Sequence, residues 1–293
     1  MIEVPERLAW WHDEPGGSEW LAALPRLAAE CAERWSLTLG EPFTHGQVSL
    51  TVPATRADGA PTVLKINYPE RESEHEADAL LHWDGDGAVR LHEVDRARSA
   101  LLVERAFPGT SLWQVDDDEE ATRIAAGVLR RLWRRAPPDQ HPFRVLADEA
   151  EGWMAQARRD WEGLGRPFEP ALVDAAQSAA RDLSATQPAL VLCHQDFQGS
   201  NVLRAEREPW LAIDPKPIVG EPAFDVASLL RDRRWDVRAS VIRRRLDLLA
   251  DELGLDRERM RGWGIVHALY WGIGPLKLEE DMVECARILL ATR

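Results

Sequence analysis

Three side chains that carry oxygen atoms lie close together in one stretch of the chain. The segment 191–225 reads VLCHQDFQGSNVLRAEREPWLAIDPKPIVGEPAFD and places Asp196, Asn201 and Asp214 in and between short apolar runs. One carboxylate can orient a hydroxyl group and accept its proton, while further oxygen ligands hold Mg²⁺ on phosphate groups. This stretch therefore contains the residue types that phosphoryl transfer needs.

The spacing H-x-D-x-x-x-x-N, from His194 to Asn201, is that of the protein-kinase catalytic loop. It predicts Asp196 as the catalytic base and Asn201 and Asp214 as magnesium ligands, with Asp214 in the position of the aspartate of D-F-G. His194 is interpreted as a buried structural histidine rather than the base. Taken singly, Asp196 could be an Asx-turn residue, Asn201 a cap and Asp214 a strand-ending turn residue. Their joint spacing favours the catalytic interpretation.

A lysine interrupts an apolar run upstream of this segment. Lys65 lies in VLKI, where a buried charge requires a partner. Glu76 lies in the helical pattern HEADALLHW and is the predicted partner, in the ion pair that holds the α and β phosphates of ATP in kinases. In the alternative interpretation, Lys65 extends to solvent from an edge strand and Glu76 is one of several solvated acids from residue 70 onward.

The phosphate loop is predicted between the first two strands, in THGQVSL at 44–50. Gly46, Val48 and Ser49 are assigned to nucleotide binding, with the backbone amides from Gln47 to Ser49 cradling the phosphates. The segment has one glycine where a protein-kinase loop has three. An ordinary hairpin turn is the alternative interpretation.

A hinge between two lobes is predicted after the strand ALLVERA. Because of their position at the end of this strand, the backbone groups of Glu104 and Ala106 are predicted to hydrogen-bond the edge of the adenine ring. FPGTS follows at 107–111, with the Pro and Gly that are typical of a domain connection. We therefore predict a nucleotide-binding lobe over 1–106 and a catalytic and substrate-binding lobe over 107–293.

Apolar periodicity predicts the elements that position these residues. In the first third it predicts a helix, a strand pair, a second helix and two short strands, over 18–39, 41–67, 70–83, 89–94 and 100–104. Two or three short strand-like runs lie between 189 and 213. Helices are predicted over 117–136, 145–164, 170–184, 222–232, 236–253, 257–272 and 279–291. Together with the kinase-like spacing of the motifs, these elements predict an α+β, bilobal, protein-kinase-like fold, with a small antiparallel sheet and one key helix before a larger, mainly helical lobe.

Composition limits the partners of the chain. Its 293 residues carry a net charge of −14, which disfavours nucleic acid and anionic membranes and favours a cationic small-molecule substrate, although the charge could serve solubility alone. Cys31, Cys193 and Cys285 are odd in number and lack metal-ligand spacing, as expected in a reducing cytoplasm. The first residues lack a signal-peptide pattern and no apolar run reaches membrane-spanning length. A cytoplasmic protein is predicted, with a monomer favoured.

The sequence resembles the aminoglycoside phosphotransferase family, in its streptomycin 6-phosphotransferase and hydroxyurea phosphotransferase branch. The resemblance rests on VLKI with HEADALLHW, on ALLVERAFPGTSL, on HQDFQGSNVL and on WLAIDPKPIVGEPAFDVASLLRDR. It implies Mg²⁺-dependent transfer of phosphate from ATP to a small hydroxylated molecule, most specifically an aminoglycoside such as streptomycin. It also implies that Asp225 braces the catalytic loop by accepting backbone N–H bonds. The family usually has Gly at the position of Gln195, so this residue could alter the loop backbone.

Two alternatives remain beside the streptomycin-type kinase. One is a kinase for another small metabolite or antibiotic, which would differ in the acceptor pocket built by the helices after residue 222. The other is a nucleotide-binding pseudokinase. Retention of Asp196 and Asp214 argues against the pseudokinase, because clustered buried carboxylates repel one another and need a functional reason to persist. The pocket candidates are Asp232, Trp271, Glu279 and Glu280.

Overall fold

Two units make up the chain, and the computed structural model describes residues 2–44, 46, 48–232 and 238–292. The first unit is Met1–Gly109 and the second is Thr110–Arg293. The division predicted from the sequence, at 106/107, lies three residues earlier. The nucleotide-binding and catalytic roles given to the two parts stay predictions.

Five antiparallel strands form the sheet of the first unit, in the order β1-β2-β3-β5-β4. Their bounds are Thr38–Leu39 (β1), Ser49–Thr55 (β2), Pro61–Asn67 (β3), Leu91–Asp95 (β4) and Ala100–Glu104 (β5). The central strand, β3, pairs with β2 along its whole length and with β5 on its other side, where Lys65 lies opposite Leu101. Because side chains alternate along a strand, β3 presents different residues to the two faces of the sheet.

One helix lies on each face of this sheet. Helix α1, Gly17–Trp35, buries an apolar stripe against Leu64 and Ile66 of β3. The intervening residue, Lys65, points to the opposite face and contacts the first residue of helix α2, Glu76–Trp83. The apolar stripe of α1 thus packs on one face of the sheet and forms a core there. Lys65 lies on the other face, because it stands between Leu64 and Ile66 in the strand.

Two helix predictions in the first unit were too long. The helix predicted over 18–39 ends at Trp35, because Ser36 takes a left-handed conformation with φ of 53°, and β1 follows. The helix predicted over 70–83 begins at Glu76. The Ser73 hydroxyl donates to the carbonyls of Tyr68 and Glu70, and such local side-chain bonds favour turns over helix.

The second unit is mainly helical. Its helices are Asp118–Leu132 (α3), Leu146–Gly163 (α4), Pro170–Ser184 (α5), Pro222–Asp225 (α6), Ala227–Leu230 (α7), Ala239–Leu253 (α8), Arg257–Gly272 (α9) and Glu280–Ala291 (α10). The helix predicted over 222–232 is in fact two short helices, and the one predicted over 236–253 begins at Ala239, with 236 and 237 outside the described residues. Helix α9 is buried on nearly all sides from Gly262 to Leu269, as expected of a central helix.

Short strands cross the second unit near its core. They are Arg144–Val145 (β6), Val191–Cys193 (β7), Val202–Arg204 (β8), Trp210–Ala212 (β9) and Ile218–Gly220 (β10). β10 lies between β6 and β7, and β8 pairs with β9 as an antiparallel hairpin. The α+β class with a small sheet and a helical second unit is confirmed. Among the described residues, each helix is too short or too polar to cross a lipid bilayer.

Candidate active site

The segment from β7 to β9 positions the three predicted reactive side chains. Asp196 follows β7, Asn201 ends a short 3₁₀-helix directly before β8, and Asp214 follows β9. β8 and β9 pair antiparallel, so Asn201 and Asp214 lie at the same end of the hairpin. There the Ile213 N–H donates to the Asn201 carbonyl at 2.9 Å. The structure therefore brings the two predicted metal ligands together.

The Asp196 carboxylate is held from both sides. The Asn201 side-chain amide donates to the Asp196 carbonyl at 2.9 Å and to its Oδ2 at 3.2 Å. Arg231 Nη2 lies 3.4 Å from Asp196 Oδ1. The Asp196 side chain is 14% exposed, so it is anchored by the protein and still accessible to a small molecule.

Asn201 and Asp214 form a donor set that fits Mg²⁺. The Asn201 bonds to Asp196 use Nδ2, so the amide oxygen would be the ligand atom in the predicted role of this side chain. Mg²⁺ prefers hard oxygen ligands and is commonly held by one or two protein groups together with water and phosphate oxygens. The residues present therefore fit the metal that the resemblance implies.

Asp214 has a left-handed backbone, with φ of 59°. This region is uncommon for residues other than glycine, although aspartate and asparagine tolerate it best. Strained backbone of this kind is frequent at functional sites. Asp214 thus places a carboxylate at the point where the backbone changes direction after β9.

His194 ties the catalytic segment together from a fully buried position. Its ring Nε2 lies 2.9 Å from the Ile213 carbonyl and donates to it. Its own carbonyl accepts the N–H groups of Asp196 at 2.9 Å and of Lys216 at 3.0 Å. These are structural contacts, in agreement with the interpretation favoured for His194 in the sequence.

Asp225 braces the same loop from α6. One carboxylate oxygen accepts the Gln195 N–H at 2.8 Å, and the other accepts the His194 N–H and the Trp133 indole N–H, both at 3.0 Å. Burial raises the pKa of the fully buried Asp225 above its usual value, while His194 and the three N–H donors oppose that rise. These bonds are the bracing contacts that the resemblance implied.

We expect Asp225→Ala to destabilise the second unit strongly. The substitution leaves two buried backbone N–H groups and one indole N–H without an acceptor, at about 1–3 kcal/mol for each such group. A loss of about 3–5 kcal/mol corresponds to a Tm decrease of roughly 10 °C for a unit of this size. Calorimetry measures this decrease, with Asp182→Ala as control because that side chain is 75% exposed. Equal Tm values for the two variants would refute the bracing role.

Gln195 stands in the catalytic loop at a left-handed position, with φ of 67°. Glycine takes this conformation without strain, whereas another L-residue loses about 1–2 kcal/mol. The Gln195 side chain is anchored in return, because its Oε1 accepts the Arg144 Nη2 N–H at 2.6 Å. Arg144 lies in β6, so this departure from the family pattern links the loop to the neighbouring three-stranded sheet.

In the first unit, the structure joins Lys65 to Glu76. Lys65 Nζ donates to the two carboxylate oxygens at 2.7 and 2.6 Å, and the Asn67 side-chain amide donates to Glu76 Oε2 at 2.7 Å. The Lys65 and Glu76 side chains are 7% and 2% exposed, so the lysine does not extend to solvent. A role for this pair in phosphate binding stays a prediction.

The predicted phosphate loop is described in part. Ser49 is buried and begins β2, and Val48 packs against the core beneath α1. Gly46 lies in the loop, but Gln47 lies outside the described residues. The amide cradle predicted from Gln47 to Ser49 therefore falls partly outside them, and the nucleotide-binding assignments of Gly46, Val48 and Ser49 stay predictions.

Arg7 braces both ends of this loop, a contact that the sequence analysis missed. Its guanidinium donates to the Phe43 carbonyl at 2.9 Å and, more weakly, to the Ser49 carbonyl at 3.5 Å. A Cβ atom at Gly46 would lie 3.7 Å from Arg7 Nη1. Burial lowers the pKa of Arg7. A positive side chain from the 3₁₀-helix Glu6–Asp13 thus lies beside Gly46.

The predicted hinge residues lie at and beyond the end of β5. The Glu104 N–H donates to the Arg90 carbonyl at 2.8 Å, and its carboxylate accepts the Arg90 N–H at 3.0 Å. An adenine edge at Glu104 would therefore have to use the carbonyl oxygen. Ala106 is partly buried two residues later, and the adenine-binding role of both residues stays a prediction.

Comparison with known proteins places these features in context. The model of a family described as "Aminoglycoside/hydroxyurea antibiotic resistance kinase" matches residues 34–273. A streptomycin 6-kinase from Streptomyces glaucescens is 39% identical over 272 residues, which are 90% of this chain and 87% of that protein. A hydroxyurea phosphotransferase from Kitasatospora aureofaciens is 37% identical over 300 residues, covering 99% of this chain and 86% of that protein.

A solved structure shares the fold at low sequence identity. It is a thermostable mutant of the aminoglycoside phosphotransferase APH(4)-Ia, in a ternary complex with AMP-PNP and hygromycin B. The TM-score is 0.63 at 15% identity, with 90% of this chain and 97% of that chain covered. This likeness confirms the predicted kinase-like fold.

Proposed function

Because the chain belongs to the aminoglycoside/hydroxyurea antibiotic resistance kinase family, we propose that it transfers the γ-phosphate of ATP to a hydroxyl group of streptomycin. The observation that carries this choice is the 39% identity to a streptomycin 6-kinase over 90% of the chain. The proximity of Asp196, Asn201 and Asp214 supports the reaction type independently, because phosphoryl transfer uses a carboxylate base together with oxygen ligands for the metal.

In this proposal Asp196 orients the acceptor hydroxyl and takes its proton. Asn201 fixes that carboxylate through Nδ2 at 3.2 Å and offers its amide oxygen, with the Asp214 carboxylate, to the metal. Mg²⁺, when bound, would neutralise charge on the phosphate oxygens. Asp225 and His194 hold the loop so that these atoms keep their positions before substrate arrives, which is the preorganisation that makes positioned groups effective.

The charge of the protein suits a cationic acceptor. Streptomycin carries guanidinium groups, and a net charge of −14 attracts cations over distances of about a Debye length. We keep a cytoplasmic location and a monomeric state as part of this proposal. The three cysteines are free and buried, which fits a reducing compartment.

Hydroxyurea is the second candidate acceptor, because the match to a hydroxyurea phosphotransferase extends over 99% of the chain at 37% identity. The two acceptors share the chemistry at Asp196 and differ in size and charge. A pocket that recognises guanidinium groups would gain little from hydroxyurea. The selectivity between them therefore tests the acceptor assignment separately from the reaction type.

We expect phosphorylated streptomycin when the purified protein is incubated with Mg-ATP and a panel of streptomycin, hygromycin B and hydroxyurea. Discrimination through pocket contacts predicts kcat/KM for streptomycin at least about tenfold above that for each other acceptor. Mass spectrometry detects the added phosphate, and a coupled ADP assay measures the rates. Phosphate on hydroxyurea alone would transfer the assignment to the second candidate. ATP consumption without any phosphorylated acceptor would contradict both.

A further inference from the structure

A buried arginine lies against the proposed base. Arg231, just after α7, is 7% exposed. Its Nη2 lies 3.4 Å from Asp196 Oδ1, and its Nε donates to His267 Nδ1 at 3.0 Å. The guanidinium therefore contacts both His267 and the carboxylate that receives the proton in the proposed function.

His267 sets the position of this guanidinium relative to the catalytic loop. The ring is buried in α9, and its Nε2 lies 3.1 Å from the Gln195 carbonyl, to which it donates. Burial, together with the Arg231 charge, lowers the pKa of His267 well below its usual value, so Nδ1 is free of a proton and can accept from Arg231. Gln195 directly precedes Asp196 in the chain. The contacts therefore close a ring that runs from the Gln195 carbonyl through His267 and Arg231 to the Asp196 carboxylate.

A second cation approaches the same place from a different segment. Lys216 Nζ lies 4.7 Å from the centroid of the Trp271 ring, and Arg231 Cζ lies 5.2 Å from it. The Lys216 backbone N–H is bound to the His194 carbonyl at 3.0 Å. Two positive groups therefore contact the same indole. One of them, Arg231, also contacts Asp196, and the backbone of the other is bound to the catalytic loop.

The position of the Arg231 guanidinium next to the proposed base is unfavourable in two respects. Burying it costs several kcal/mol unless its contacts compensate, and its attraction for the Asp196 carboxylate competes with the attraction of that carboxylate for a proton. A phosphoryl group next to the base would give this guanidinium a second anion to bind, through a charge-assisted hydrogen bond. In transfer to a hydroxyl held by Asp196, the phosphoryl group lies about 3–3.5 Å from the attacking hydroxyl oxygen, and its three equatorial oxygens carry the negative charge.

We propose that Arg231 is a further catalytic residue that binds the phosphoryl group during transfer, with Lys216 as the second cation of this anion site. The inference rests on the proposed function of Asp196. In the step, the acceptor oxygen forms a bond to phosphorus and the bond to the ADP oxygen breaks. The proton passes to Asp196 and later to solvent. Arg231 moves from its 3.4 Å contact with Asp196 Oδ1 to a phosphoryl oxygen.

The competing explanation is that Arg231 only positions Asp196. Aluminium fluoride separates the two, because with MgADP it imitates the phosphoryl group in flight and requires no acceptor. Ligands that bind the native state raise Tm. If Arg231 contacts the phosphoryl group, the extra Tm rise caused by aluminium fluoride depends on it. If Arg231 only positions Asp196, that extra rise persists without the guanidinium.

The experiment compares wild type with Arg231→Met and Arg231→Lys. We expect MgADP to raise Tm in all three proteins and aluminium fluoride to raise it further in wild type, less in Arg231→Lys and not in Arg231→Met. The kcat for streptomycin should fall about 100-fold or more in Arg231→Met, as for loss of one charge-stabilising donor. The charge-retaining lysine variant provides a second measurement should the methionine variant fold poorly.

Arg245→Met is the matched control. Arg245 is also buried, and it donates to the Leu229 and Asp232 carbonyls of the segment that carries Arg231. Its loss should lower Tm but leave the aluminium fluoride effect intact. Arg231→Met with a wild-type fluoride effect, or with kcat within about threefold of wild type, would overturn the inference. Absence of any MgADP effect in wild type would instead overturn the proposed function on which the inference rests.

Discussion

Replacement of Asp196 with asparagine is expected to reduce kcat by about 10³- to 10⁴-fold. The substitution keeps the shape of the side chain but removes the proton acceptor and the charge that orients the hydroxyl. Asn201 and Arg231 hold the carboxylate in place, so the loss should fall on the chemical step. Nucleotide binding should stay nearly unchanged, because the predicted metal ligands Asn201 and Asp214 remain. Steady-state kinetics with streptomycin measures kcat, and the Tm rise with Mg-ATP measures binding.

The control for this variant is Asp174→Asn on α5, where the side chain is 63% exposed. It makes the same chemical change at the surface and should alter neither kcat nor the response to Mg-ATP. Turnover of the Asp196→Asn variant within tenfold of wild type would contradict a general-base role. Loss of the Mg-ATP effect together with turnover would instead place Asp196 in nucleotide binding.

Long periodic elements were predictable from sequence, whereas the shortest strands were not. Helices α4, α5 and α9 lie within one residue of their predicted bounds, because two or more turns of apolar spacing define each of them. β1, β6 and β10 have two or three residues each, too few for any period to be visible. Pairing with a neighbouring strand determines their conformation, and such pairing depends on tertiary structure.

In the candidate site, too, residues of one local motif were predictable from the sequence, whereas residues joined by distant contacts were not. Asp196, Asn201 and Asp214 fall within one local motif, so their spacing alone brought them to notice. The contact of Arg231 with Asp196 spans 35 residues and that of His267 with Gln195 spans 72. Neither side chain stands at a spacing that indicates its partner. Contacts of this kind arise from the packing of α9 against the residues after α7, and sequence spacing therefore does not indicate them.

The Lys65 pair shows how local structure resolved a choice that spacing left open. Four glutamates lie from residue 70 to residue 76, and the sequence left open which of them pairs with the lysine. The turn before α2 moves the helix start to Glu76. Glu76 therefore lies at the start of the helix that covers this face of β3, and it is the glutamate that meets Lys65.

Replacement of Asp214 is expected to change the magnesium dependence of the enzyme more clearly than its other properties. Water and phosphate oxygens supply most of the Mg²⁺ coordination, so the protein contributes only two ligands in this proposal. The affinity of the enzyme for the metal therefore depends strongly on each of the two. Loss of one carboxylate should therefore change the concentration of Mg²⁺ that the enzyme needs. The backbone complicates the test, because φ of 59° at this residue also favours aspartate or asparagine over alanine.

Asp214→Ala and Asp214→Asn separate these two effects. Both remove the carboxylate charge, and we expect both to raise the Mg²⁺ concentration for half-maximal activity by at least about tenfold at fixed ATP. Only the alanine variant should also lose stability, by about 1–2 kcal/mol, because it alone lacks a side chain suited to the left-handed region. Magnesium titrations of activity and Tm measurements without metal check the two parts. A wild-type titration in the asparagine variant would show that this carboxylate does not hold the metal.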